Sequence, residues 1–130
     1  MSNKIDLDKY YTPLDKAKYC INKVYEIIGE NNISEVIETS AGNGSFSLQV
    51  PTTCWAYDIE PEHESIIKQD FLTLDVDYLY GRLIIGNPPF GSRMNLAQKF
   101  FKKVLNWVIM LHLFYLLVNC GILTVYLNLI

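Results

Sequence analysis

Apolar residues recur at Leu14, Ala17, Cys20, Ile21, Val24, Ile27 and Ile28. This three-and-four spacing gathers them on one face of a helix. Pro13 suits the first helical turn, where its missing N–H is not needed, and Gly29 suits the stop. Residues up to Thr12 are polar and Tyr-rich and read as an arm. Beyond Gly29 the apolar runs shorten. Glu35–Thr39, Thr53–Tyr57, Ile66–Lys68 and Arg82–Ile85 predict four strands, Phe46–Val50 no more than a short helical turn, and Met94–Leu105 a second helix. Strands alternating with turns or helices argue for an α/β fold with a mostly parallel sheet.

Ligands of such sheets sit beyond the carboxyl ends of the strands, near the point where strand order reverses. The polar punctuation of this chain falls at those ends. Glycines follow the first strand, Asp58 the second, Asp70 the third and Asn87 the fourth.

Length and charge narrow the picture. A chain of 130 residues fits one domain. Half of it is hydrophobic and its charged fraction is ordinary, so it has the means to build a core. The net charge of −3 bears on nucleic acid, because phosphate binding draws on Lys and Arg releasing counterions. A duplex-binding reading therefore needs a further source of grip, such as a separate recognition domain or subunit. Cys20, Cys54 and Cys120 are far apart and form no CxxC pair, which suggests neither a metal site nor a disulfide framework. The opening MSNKIDLDKYYTP has no apolar run of the secretory type, so an intracellular location, cytoplasmic or viral, is expected.

Two segments carry candidate chemistry. In Ala41–Gly42–Asn43–Gly44 the paired glycines let the backbone turn sharply and approach a ligand closely. Alone this is a weak signal, equally an ordinary tight turn. Asp58 strengthens it, since a carboxylate ending the next strand can accept both hydroxyl protons of a ribose. The interval from Gly44, about fourteen residues, is short of the roughly twenty usual in dinucleotide folds, and the third glycine is missing. That favours an adenosine site without phosphates. In Asn87–Pro88–Pro89–Phe90 two prolines hold the chain extended. The Asn87 amide oxygen and the Pro88 carbonyl can converge on one point beside the face of Phe90. An exocyclic aromatic amine suits such a site. Two acceptors on its N–H bonds would favour a pyramidal nitrogen with its lone pair facing a methyl donor, so catalysis is positioning and electrostatics. A duplex base must leave the stack to enter, and an aromatic face replaces lost stacking.

Tyr11–Thr12–Pro13, Glu38–Thr39–Ser40–Ala41–Gly42–Asn43–Gly44–Ser45–Phe46, Tyr57–Asp58–Ile59–Glu60–Pro61, Gln69–Asp70–Phe71 and Asn87–Pro88–Pro89–Phe90–Gly91 occur in that order. Over about residues 9–103 the chain resembles the S-adenosylmethionine-dependent amino-methyltransferases that modify adenine N6 in DNA. The resemblance implies a Rossmann-like methyltransferase fold, incomplete at the C-terminus, with S-adenosylmethionine as cofactor and DNA as partner, in the manner of restriction–modification enzymes. It assigns the methionine ammonium to Glu38, the ribose to Asp58 with Ile59 beside it, and the cofactor adenine to Asp70 with Phe71 packing near the ring. Tyr11, Thr12 and Pro13 would line the methionine side, and Ser40, Ala41, Gly42 and Gly44 the loop against the cofactor. Asn87, Pro88, Pro89 and Phe90 would take the target base, with Asn87 also bordering the cofactor. Thr39 stands where the family often has proline, a departure that bears on loop rigidity. The Asn-Pro-Pro-Phe element serves amino-group methylation in general, so RNA or a protein glutamine are alternative targets, and an inactive cofactor-binding fragment is a third. Phe46 and Trp55 are expected in the core, and His63 and His112 at surface or packing positions.

Residues 1–103 thus read as the N-terminal part of a cofactor-binding catalytic domain. From Val104 to Ile130 no Asp, Glu, Lys or Arg occurs. That run is long enough to span a bilayer, yet Asn106, His112, Asn119, Gly121 and Asn128 interrupt it. It completes the sheet, anchors in a membrane, or is the abnormal end of a truncated or frame-shifted reading frame. No sequence-reading domain is recognisable in it.

Overall fold

In a computed structural model the described residues are 12–77, 79–86, 98–100, 102–104, 106, 114–119 and 122–126. Helix α1 spans Leu14–Ile28, with Gly29 at its C-cap in a positive-φ conformation and donating its N–H to the Tyr25 carbonyl. Strands β1 (Glu35–Glu38), β2 (Cys54–Asp58), β3 (Ile67–Lys68), β4 (Arg82–Gly86), β5 (Phe114–Asn119) and β6 (Ile122–Tyr126) follow, with a further helix that includes residues 98–100, 102–104 and 106. The six strands lie in the order β3-β2-β1-β4-β5-β6. β3, β2, β1, β4 and β5 run parallel, and β6 returns antiparallel beside β5. The architecture is α/β with a mostly parallel sheet.

Alternation along β1 explains the two cores. Val36 turns to one side, where Ala17, Ile21, Val24 and Tyr25 of α1 meet Leu83 and Ile85 of β4 and Phe46. Ile37 turns to the other, where it packs with Ile84, Phe71, Leu74, Phe100 and Val104. A strand buried on both faces needs apolar residues at consecutive positions, and Leu83–Ile84–Ile85, all fully buried, supply them.

At the amino end of the second face Arg82 Nε donates to Glu35 Oε2 at 2.7 Å and Arg82 Nη1 to the Asp77 carbonyl at 2.6 Å. Trp55 lies beside this cluster and departs from its expected place in the core. It is 46% exposed, and its indole N–H donates to Glu35 Oε1 at 3.3 Å. Its neighbour is a charged pair and its N–H has a polar partner, so the ring stays at the margin. Phe46 is buried as expected. Leu14 and Ile27, counted in the apolar face of α1, are exposed, and Ile66 is buried in a turn just before β3.

Within 104–130, residues 114–119 and 122–126 pair onto the sheet as strands. Among the described residues no helix is long and apolar enough to cross a membrane.

Candidate functional site at the carboxyl edge of the sheet

The strand order reverses between β1 and β4. β1 continues through β2 and β3 on one side, and the chain then returns to β4 on the other. The carboxyl ends of β1 and β4 therefore border the crevice where open α/β sheets take ligands. Glu38 ends β1 and pairs with Ile85 of β4, and the Thr39 N–H extends that ladder to the Ile85 carbonyl at 3.0 Å.

The loop after β1 is held in shape by its own backbone. Gly42 and Gly44 adopt φ of 57° and 89°, as the paired glycines predict. The Gly44 N–H donates to the Ala41 carbonyl, and both the N–H and hydroxyl of Ser45 donate to Asn43 Oδ1. A Cβ at Gly44 would come within 2.8 Å of Leu48 Cδ1. A 3-10 turn at Ser47–Gln49 follows, where a short helical turn was expected. Gln49 Nε2 donates to the Ser45 carbonyl at 2.8 Å and to the Leu14 carbonyl at 3.0 Å. This side chain fastens the first turn of α1, and with it the Thr12–Pro13 entry, to the glycine loop. No motif in the sequence singles out Gln49.

The three expected carboxylates follow different rules. Asp58 is committed on both oxygens: Oδ2 accepts the Gly42 N–H and Oδ1 the Glu60 N–H, each at 2.8 Å. A carboxylate offers about four lone-pair positions, so these bonds leave acceptor capacity for hydroxyls. Ile59, next to it, is exposed. Asp70 begins a 3-10 turn, Phe71–Thr73, and its Oδ1 accepts the Leu72 N–H at 2.9 Å. Phe71 is buried and packs on Phe100 with ring centroids 5.3 Å apart. Lys103 Nζ donates to the Phe71 carbonyl at 2.8 Å and lies 5.2 Å from the ring centroid. Burial lowers the Lys103 pKa, while the charges of Asp75 and Asp70 pull it back up.

Glu38 differs from both. It is 1% exposed, and among the described residues no well-formed hydrogen bond reaches either carboxylate oxygen. Burial pushes its pKa well above the usual carboxylate range. The Ser40 backbone N–H favours the charged form and the Asp58 charge opposes it, but burial dominates. The partly buried Cys54 thiol, on the same sheet face, is pushed up to about 12, first by burial and then by Glu38.

The edge thus brings together Glu38, Ser40, Ala41, Gly42, Gly44 and Asp58, with Asp70 and Phe71 past the end of β3. Thr12 is buried and Pro13 exposed at the start of α1. Tyr11 and the segment Asn87, Pro88, Pro89 and Phe90 lie outside the described residues. β4 ends at Gly86, so that segment begins directly after it. The described residues hold no group of three or more His, Cys, Asp or Glu fit for a metal. Comparison with known proteins gave no match: no family model fits the chain, and no curated protein or solved structure is significantly similar to it.

Proposed function

We propose that this chain is the catalytic part of an S-adenosylmethionine-dependent methyltransferase acting on the N6 amino group of adenine in DNA, built on a Rossmann-like fold. The strand order 3-2-1-4-5-6, with its last strand antiparallel, supports a fold of that kind. The observation that carries the reading is Glu38. A fully buried carboxylate that meets no cation and no well-formed hydrogen bond among the described residues, at the switch point and beside a glycine loop, asks for a compact cation, and the cofactor's amino-acid end presents an ammonium. Asp58 and Asp70, past the ends of the next two strands, suit the ribose and the adenine of the same ligand. The bound cofactor would supply an electrophilic methyl group.

The chain's own residues then have distinct tasks. Glu38 and Asp58 orient the donor, and the Asn87–Phe90 segment holds the acceptor amine and excludes water from it. Calorimetry with S-adenosylmethionine, followed by a tritiated-methyl assay on DNA, RNA and protein, tests the reading. Transfer to adenine in DNA supports it. Transfer to RNA or to a protein glutamine keeps the chemistry and changes the substrate. Binding without transfer makes the chain an inactive cofactor-binding fragment.

A further inference from the structure

The surroundings of Glu38 raise a problem of charge. On its face of the sheet, α1 contributes Ala17, Ile21, Val24 and Tyr25, and β4 contributes Leu83 and Ile85. From β2 come Cys54, which stays a neutral thiol, and Asp58, which is itself acidic. Tyr25 bonds Thr52 at 2.6 Å, and burial raises its pKa. Arg82 faces the opposite side, bound to Glu35. Among the described residues no cation meets Glu38. An isolated buried carboxylate does not stay charged at such a cost; it takes a proton.

We infer that Glu38 is a proton-exchanging cation site: it carries a proton before ligand binds, and the ammonium of an amino-acid-bearing ligand expels that proton to solvent as it forms the ion pair. The ligand half of this inference rests on the methyl-donor reading; the proton half rests on burial and on the lack of a counter-charge among the described residues. The balance is simple. The Glu38 O–H bond breaks, its proton goes to buffer, and the carboxylate gains the ammonium. The site is therefore stable as an acid when free and attractive as a base when filled. Cofactor affinity should rise with pH until Glu38 would ionise unaided or the ligand ammonium loses its own proton.

The consequence for stability has a definite sign. A carboxyl whose folded pKa is raised above its unfolded value binds more protons folded than unfolded between the two. Stability therefore falls as pH rises from the unfolded value toward the folded one. Glu38→Gln removes that slope, because an amide does not titrate.

Two measurements on the full chain decide. The first is the melting temperature of wild type and Glu38→Gln from pH 5 to pH 9 without ligand. The variant should gain on wild type as pH rises, by on the order of a few degrees. A gap that stays constant across that range overturns the proton half, whatever the fixed offset. The second is calorimetry at about pH 6.5 in buffers of different ionisation enthalpy, where an α-ammonium is itself protonated. S-adenosylmethionine should release close to one proton per site. 5′-Methylthioadenosine, which lacks the amino-acid end, should release none, and Glu38→Gln should lose about ten- to hundred-fold in cofactor affinity. Binding without buffer dependence overturns the proton exchange and leaves the methyl-donor reading standing. No binding by wild type overturns the ligand assignment together with that reading, while the melting profiles still decide whether Glu38 is a buried acid.

Discussion

Asp58 Oδ2 accepts the Gly42 N–H at 2.8 Å, so the end of β2 fixes the loop that follows β1. One residue then has two tasks, shaping the loop and offering its remaining acceptor positions to a ligand. Asp58→Ala should weaken S-adenosylmethionine binding by roughly 1–3 kcal/mol, the usual effect of losing a hydrogen bond to a charged group. It should also lower stability, because the Gly42 and Glu60 N–H groups lose their acceptor. Asp58→Asn keeps one acceptor oxygen and should fall between. Unchanged affinity in Asp58→Ala, measured by calorimetry, rejects the ribose assignment.

The glycines offer a test of the loop that is independent of any ligand. Gly44 and Gly81 both have positive φ. An added Cβ at Gly44 meets Leu48 Cδ1, the end of a flexible and exposed side chain, whereas at Gly81 it would lie 2.6 Å from the Asn32 backbone carbonyl. Gly44→Ala should cost about 1–3 kcal/mol, the usual strain of a non-glycine residue there. Gly81→Ala should cost more, because backbone cannot step aside. Urea denaturation ranks the two, and the reverse order would mean that the loop around Gly44 is the more rigid element.

Much of this was legible before the structure. The spacing of Ala17, Ile21 and Val24 fixed the buried face of α1, and the strand pattern placed Asp58 and Asp70 past the ends of β2 and β3 on one edge of the sheet. Other parts lacked a signal. β5 and β6 come from a run without charge or alternation, and such a run fits strand and helix equally well. Trp55 reads as core by hydrophobicity, yet the Glu35–Arg82 pair that keeps it at the margin joins residues far apart in sequence. The commitment of Asp58 to loop N–H groups, the Gln49 tie to α1 and the isolation of Glu38 depend on packing in three dimensions, which one-dimensional spacing does not encode.

The Glu35–Arg82 pair itself makes a prediction. Its side chains are 17% and 9% exposed, and the Nε–Oε2 distance is 2.7 Å. Removing one partner from a buried pair leaves an uncompensated charge and costs about 3–5 kcal/mol. Arg82→Met should approach that cost, and adding Glu35→Met should recover part of it. If the two losses simply add in denaturation experiments, the pair is uncoupled.

Duplex DNA should bind the isolated chain weakly and without sequence preference. A net charge of −3 with eleven Lys and Arg gives little counterion release. A nanomolar, sequence-selective complex at physiological salt, formed without a partner, would contradict this.

The segment after β4 should act on the target base rather than on the cofactor. Ile85 pairs with Glu38 and Gly86 ends β4, and Asn87 is the next residue in sequence. Pro88 and Pro89 restrict the chain there, so the acceptors of Asn87 and Pro88 can be aimed before the base arrives. Phe90 would cover the base by stacking, a contribution of roughly 1–3 kcal/mol at comparable sites. In a complete or complemented enzyme, Asn87→Ala should lower single-turnover methyl transfer steeply while leaving cofactor affinity nearly intact. Phe90→Ala should weaken capture of the extruded base, and Phe90→Leu should restore it only in part. Calorimetry for the cofactor and single-turnover transfer at saturating DNA separate the outcomes. If Asn87→Ala loses cofactor affinity in step with transfer, the segment belongs to the cofactor pocket. If transfer survives in both variants, the amine-positioning role is wrong and the chemistry lies elsewhere in the chain.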